Sequence, residues 1–266
     1  MATIRLKKLV FCLLGLFCFM IQSCSSIHKN SISGLPDPAS QDESLSIIAS
    51  IREKNNSLRT FKGIGKIELK NKKDSFISRT AWMGSYPDRF RIEIFGIAGQ
   101  PLISLSADQD NLFLLSHTDS NYIHRDDPAS TLEELLSLPV KVEDAVEFLT
   151  GRIPIREHAT SYIEKSDSGD GFILILEENW TGITEKIYLD EKKTRIYKVE
   201  MFGITGALNY RAELLDEIQV DGFRLPSHLV LSNENGETFK LRIDRYFANT
   251  PVTPSMFTIH PPGVTK

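Results

Sequence analysis

Cysteine is scarce in this chain. Only Cys12, Cys18 and Cys24 occur among 266 residues. All three fall in the first 24 positions, so no disulfide framework can staple the body of the protein. Long apolar runs are missing too. The longest, Leu9–Ile21, has 13 residues with Gly15 its sole interruption, short of the roughly 20 that a membrane-spanning helix needs. Basic excess is lacking: 31 Lys+Arg stand against 35 Asp+Glu, a formal −4. Without a basic stripe there is no electrostatic footprint for nucleic acid. The six histidines, His28, His117, His124, His158, His228 and His260, never adopt H-x-H or H-E-x-x-H spacing, so no metal site is readable. No G-x-S-x-G elbow, P-loop or glycine-rich dinucleotide turn follows any strand. Catalysis would need carboxylates gathered by folding, and no spacing points to a pair. The expectation is no enzyme, no cofactor and no metal.

What is present begins with an address. Arg5, Lys7 and Lys8 precede the 13-residue apolar run, the layout of a secretory signal peptide. Ile21-Gln22-Ser23-Cys24 resembles the bacterial lipobox, with Gln22 an unusual middle residue. The resemblance implies cleavage before Cys24, a thioether-linked lipid on its sulfur, and a formal charge of −7 once residues 1–23 and their three basic groups are gone. Ser25 in place of Asp implies an outer-membrane rather than inner-membrane destination, on the periplasmic face of a Gram-negative type of cell. Residues 24–41, rich in Ser, Asn, Gly and Pro, read as a tether, and 42–266 as one domain.

Within that domain the dominant signal is period-2 alternation. Phe90, Ile92 and Ile94 oppose Arg89, Arg91 and Glu93; Phe239, Leu241 and Ile243 oppose Lys240, Arg242 and Asp244. One dry face and one wet face are expected, as in antiparallel sheets. Strands are predicted near 62–71, 74–85, 88–96, 100–107, 111–117, 121–125, 160–166, 171–178, 183–190, 194–202, 205–216, 223–232 and 236–246, with a hairpin turn at Asn235-Gly236. A helix carrying Leu45, Ile47, Ile48 and Ile51 precedes them, with Ser40 or Asp42 as N-cap. Asp127-Pro128 opens a second helical piece with Leu132, Leu135, Leu136 and Leu138 on one face. VEDAVEFLT makes a third, ended by Gly151. Asp126 and Asp127 read as part of a helix N-terminus rather than an acid pair. The tail TPSMFTIHPPG is extended or single-turn.

One pattern occurs twice. RIEIFGIAG (91–99) returns as KVEMFGITG (198–206), 107 residues later. Each is an alternating strand that runs into a bend where two glycines flank an isoleucine, and glycine allows the positive φ a tight bend requires.

The stretches FKGIGKIELK, SRTAWMGSYPDRFRIEIFGIAGQPLISLSADQDNLFLLS and YIHRDDPASTLEELLSLPVKVEDAVEFLTGRIP resemble LolB, the outer-membrane lipoprotein receptor, whose fold is shared with the periplasmic carrier LolA. The likeness spans Phe61 to Pro154, with an echo in RLPSHLVLSNENGETFKLRIDRY. It implies an α+β, mainly antiparallel fold: an incomplete, curled β-barrel with a few covering helices. It further implies an apolar cavity for acyl chains, whose lining would draw on Trp82, Phe90, Ile92, Ile94, Leu102, Phe239, Leu241 and Ile243. A membrane-facing loop would comprise Gly96, Ile97, Ala98 and Gly99. The family's loop leucine aligns with Ala98, so either Ile97 supplies the apolar tip or insertion is lost.

The resemblance implies a lipid-anchored receptor that takes acylated lipoproteins, or another envelope lipid, from a LolA-like carrier and delivers them to the outer membrane. Read without it, side chains such as Trp82, Trp180 and Tyr210 would fill the interior. The chain would then be a structural or sensory lipoprotein holding a protein partner.

Overall fold

The alternation becomes thirteen strands. A computed structural model describes residues 38–72, 74–108, 110–126, 131–167 and 169–261. In chain order they form α1 (Pro38–Glu53), β1 (Thr60–Lys70), β2 (Ser75–Ser85), β3 (Arg89–Phe95), β4 (Pro101–Ala107), β5 (Asn111–Ser116) and β6 (Tyr122–Asp126). Then come α2 (Glu133–Leu136), α3 (Val142–Leu149), β7 (Thr160–Lys165), β8 (Phe172–Glu178) and β9 (Gly182–Leu189). The chain continues with β10 (Ile196–Phe202), β11 (Leu208–Val220), β12 (Phe223–Ser232), β13 (Thr238–Ala248) and a 3-10 turn at Pro254–Phe257.

All strands join one sheet in the order β6-β5-β4-β3-β2-β1-β13-β12-β11-β10-β9-β8-β7. Two meanders, β1–β6 and β7–β13, are thus zipped together by antiparallel pairing of β1 with β13, where Phe61 faces Ala248 and Lys70 faces Thr238. Inner-face residues from both meanders, among them Leu105, Leu112, Trp82, Leu241, Val199, Ile187 and Leu174, belong to a single apolar cluster. That is possible only if the sheet curls around its dry face. β6 and β7 do not pair, so the curl is an incomplete barrel.

The edge at β7 is covered. Ser40 Oγ donates to Ile163 O and accepts from Ile163 N–H, both at 2.9 Å, and Ser44 Oγ reaches Ser161 O at 3.0 Å. Serines of α1 therefore occupy backbone groups that would otherwise invite another strand. Ser40 and Asp42 sit inside this helix, which opens at Pro38, so neither is its N-cap. Proline needs no partner for an N–H it lacks, and can start the helix earlier. Ile48 and Ile51 are buried, but Leu45 is 58 % exposed, because the buried stripe follows Ser44, Ile48 and Ile51 against β7 and the sheet.

α2 is shorter than its leucine pattern predicts. It spans one turn, with Leu132 as N-cap and no side-chain cap bond, because Thr131 bridges Lys141 as a short β contact and claims the preceding backbone. Asp127 and Pro128 lie outside the described residues. α3 ends as expected, Gly151 following the C-cap Thr150 with φ +69°.

Candidate acyl cavity and hairpin tips

Trp82 sits at the middle of the dry face. Its indole lies flat across β1: a Cβ at Gly63 would come within 2.3 Å of the ring, so glycine there makes room for the largest side chain of the lumen. Around it, Phe90, Ile92, Phe239 and Leu241 line one pocket, joined by Leu229 and Leu231 of β12. The roof is Leu132, Leu135 and Leu136 from α2 and its N-cap, with Ala145 and Leu149 from α3. Every lining side chain is apolar apart from the indole N–H of Trp82, which has no hydrogen-bond partner. The free volume is about 20 Å³, room for about one water and far from the 300–1,000 Å³ of typical ligand sites.

Of the expected lining residues, Ile94 and Ile243 are buried in the same core without bordering this pocket. Leu102 does not join it. Ile103, Leu105 and Ala107 pair with Ile94, Ile92 and Phe90 on the inner face, which turns Leu102 outward, half-buried. The roof leucines and the β12 residues were readable as apolar faces, but nothing local says that they meet Trp82. Of the three side chains named as filling the interior, Trp82 and Tyr210 do so, whereas Trp180 is 94 % exposed. It sits at a two-sided polar turn between β8 and β9, where no inner face exists.

The other half of the lumen is closed differently. Asp144 of α3 is 1 % exposed and accepts hydrogen bonds from Tyr210 Oη at 2.7 Å and Arg156 Nη2 at 2.5 Å. Burial, reinforced by the Asp144 carboxylate, holds the Tyr210 phenol well above its ordinary range, so it stays a donor. Glu185 is wholly buried on β9; its Oε2 accepts the Arg156 backbone N–H at 2.9 Å while Oε1 has no partner. Desolvation pushes its pKa up to about 8. The carbonyls at the end of α3 are also taken: Tyr246 Oη donates to Leu149 O and Asn55 Nδ2 to Thr150 O, each at 2.8 Å. Arg152 donates to Asn55, Asn56 and Leu58 carbonyls and stacks over Tyr86. α3 is thus pinned by polar bonds, whereas the described residues of α2 show local backbone bonds and apolar contacts. Pinning demands partners from β11, β13 and the loops that hold Asn55 and Arg156, far apart in sequence, and no motif announces it.

The repeated segment forms two equivalent hairpins. Glu93 pairs with Ser104 and Glu200 with Arg211, each 11 residues on, and both ladders shift register just before the turn. Gly96 N–H bonds Gln100 O at 2.7 Å and Gly99 N–H bonds Gly96 O at 2.9 Å; Gly203 to Ala207 and Gly206 to Gly203 repeat this at 2.8 and 2.9 Å. Gly99 and Gly206 hold φ of +83° and +76°, a region that glycine enters without strain. Ile97 is 108 % and Ile204 85 % exposed. Ala98 and Gly99 are exposed beside Ile97. Cys24 lies outside the described residues.

One cluster has the residue types of a hydrolase. Ser104 Oγ lies 2.8 Å from His117 Nε2 and donates to Glu93 Oε2, while Arg91 clamps the other carboxylate oxygen, Oε1. The order is wrong for a nucleophile: the carboxylate, not the imidazole, takes the hydroxyl proton, leaving histidine to donate. Ser104 is 3 % exposed, and Arg91 Nη1 in the same cluster bonds Met256 O of the C-terminal turn. Among the described residues no group of three or more His, Cys, Asp or Glu could hold a metal ion.

This architecture, an open antiparallel barrel with helices over its dry face, is a LolA/LolB-like fold. No protein-family model matches the chain, and no curated protein matches its sequence. Solved structures do. A domain described as an outer membrane lipoprotein-sorting protein from Vibrio parahaemolyticus superposes with TM-score 0.51 at 13% identity, over 82% of this chain and 97% of that one. A DUF1329 family protein from Desulfovibrio piger gives 0.57 at 6% identity, over 82% and 97%. A LolA superfamily protein from Nitrosomonas europaea gives 0.51 at 13%, over 79% and 97%. At such identities the likeness is one of fold.

Proposed function

We propose that this protein is a lipid-anchored outer-membrane receptor that takes the acyl chains of lipoproteins, or of another envelope lipid, into the pocket beneath α2 and passes them to the membrane, without catalysis. The observation that carries the reading is the pocket around Trp82, whose walls are apolar on every side and whose roof is a single helical turn held by leucines. An acyl chain in water costs about 0.8 kcal/mol per CH₂, on the order of 10 kcal/mol for one long chain. A dry cavity returns that burial, so handover is nearly balanced and its direction needs only a small difference in affinity. At about 20 Å³ the pocket is shut, so uptake requires α2 to lift while α3 stays pinned. In this reading Cys24 carries the anchor, residues 24–41 the tether, and Ile97, between Gly96 and Ala98-Gly99, is the apolar tip through which cargo leaves. A LolA-like carrier is the natural donor. The experiment is native mass spectrometry of the protein after exposure to a triacylated lipoprotein and to free fatty acid. A bound acylated species is expected; a clean apo mass under both conditions would sink the reading.

The small volume favours a second reading: a structural or sensory lipoprotein whose filled interior presents a surface to a protein partner. A stable co-purifying protein with no lipid bound would support it.

A further inference from the structure

Three large apolar side chains stand almost wholly in solvent: Ile97 at 108 %, Trp180 at 94 % and Ile204 at 85 %. No other among the described residues exceeds 68 %. Each occupies a hairpin tip, between β3 and β4, β8 and β9, and β10 and β11. Every pairing in the sheet is antiparallel. Strand direction therefore alternates along the spatial order, and β3, β8 and β10 run the same way. Their hairpins all open at one end of the sheet. The fold does not require apolar tips there. The β12–β13 hairpin leaves the same end with the same bonds, Asn233 N–H to Glu237 O and Gly236 N–H to Asn233 O, and φ of +85° at Gly236. Its tip is Glu234-Asn235.

We propose that Trp180 and Ile204 act with Ile97 as a three-point contact with the interfacial region of a phospholipid bilayer. This rests on the reading above for Ile97 and adds two points to it. The tips are separate side chains, not the contiguous core with a polar rim that protein interfaces desolvate. A soft bilayer accepts separate points, and Trp is the residue favoured at headgroup depth. Charges near this end are of both signs, Lys70, Lys72, Asp74, Glu178 and Glu234, so insertion runs on apolar burial rather than on attraction to anionic lipid.

The chain has two tryptophans, and they report on different places. The full chain is reconstituted in phosphatidylethanolamine and phosphatidylglycerol vesicles with brominated acyl chains. The Trp180 signal is the difference between the protein and Trp180→Phe. Strong bromolipid quenching of that signal is expected, and it should fall roughly tenfold for each of Ile97→Asp and Ile204→Asp. Trp180 that stays open to aqueous iodide with vesicles present, unchanged by both substitutions, overturns the proposal and leaves the tips to a protein partner. Trp180→Phe leaves Trp82 as the sole indole, so fatty-acid uptake is read separately. Its loss with Trp180 quenching intact would strike the cavity reading and not the bilayer contact.

Discussion

The phenol of Tyr210 and the carboxylate of Asp144 meet at 2.7 Å inside the sheet, joining β11 to α3 where no solvent competes. Removing that donor leaves a buried charge with Arg156 as its remaining partner among these groups. Tyr210→Phe is expected to lower unfolding free energy by about 1–3 kcal/mol, measured by chemical denaturation. A loss below about 0.5 kcal/mol would mean that Arg156 alone satisfies the carboxylate and that α3 is not pinned this way.

Glu185 should give the protein a pH-dependent stability of unusual sign. Burial raises its folded pKa to about 8 from 4.5, so between those values the folded state holds a proton that the unfolded state releases. Stability from this group is full below about pH 4.5 and is lost as pH rises through about 8. Glu185→Gln, which mimics the neutral acid, should flatten melting temperature against pH across that window. Parallel curves for the two proteins would show that the carboxyl is not held neutral.

The roof of the pocket is open to a packing test. Leu136 is 5 % exposed and contributes to the lining. Leu136→Ala should cost about 2–5 kcal/mol and, by loosening α2 and enlarging the pocket, increase binding of a fluorescent fatty acid. Lower stability without added uptake would place the entry route elsewhere.

At the hairpin tip the opposite pattern holds. Ile97 makes no core contact, so Ile97→Asp should change stability by no more than about 0.5 kcal/mol while slowing transfer of an acylated lipoprotein into liposomes severalfold. Transfer at the unaltered rate would remove this loop from delivery.

Ser40 occupies both backbone groups of Ile163 on the β7 edge. Ser40→Val with Ser44→Val should expose that edge and raise the aggregation rate at fixed concentration, read by light scattering. Unchanged scattering would assign edge protection to the bulk of α1 alone.

Strand positions were legible because period-2 alternation is local: RFRIEIF and TFKLRID declare their dry faces without reference to the rest of the chain, and the observed β3 and β13 bury those residues. The helices were less so. A leucine run such as TLEELLSL satisfies a helical pattern, yet Thr131 found Lys141 and left one turn. Leu102 lies on the outer face because alternation along β4 groups it with Ser104 and Ser106, opposite to Ile103, Leu105 and Ala107, which pair with the inner face of β3; an apolar side chain does not by its identity declare which face it takes.

The sequence by itself determined the two FGI-small-Gly bends, since glycine at positive φ and a flanking alternation are local properties of the chain, and with them the presence of an isoleucine at each tip. Only the tertiary structure decided that β1 pairs with β13, some 180 residues away. That single non-local choice orients both hairpins to one end, brings Leu229 and Leu231 to Trp82, and gathers Asp144, Arg156, Glu185 and Tyr210. Such pairing is settled by burial of the whole dry face at once, a sum over contacts that no short stretch of sequence contains.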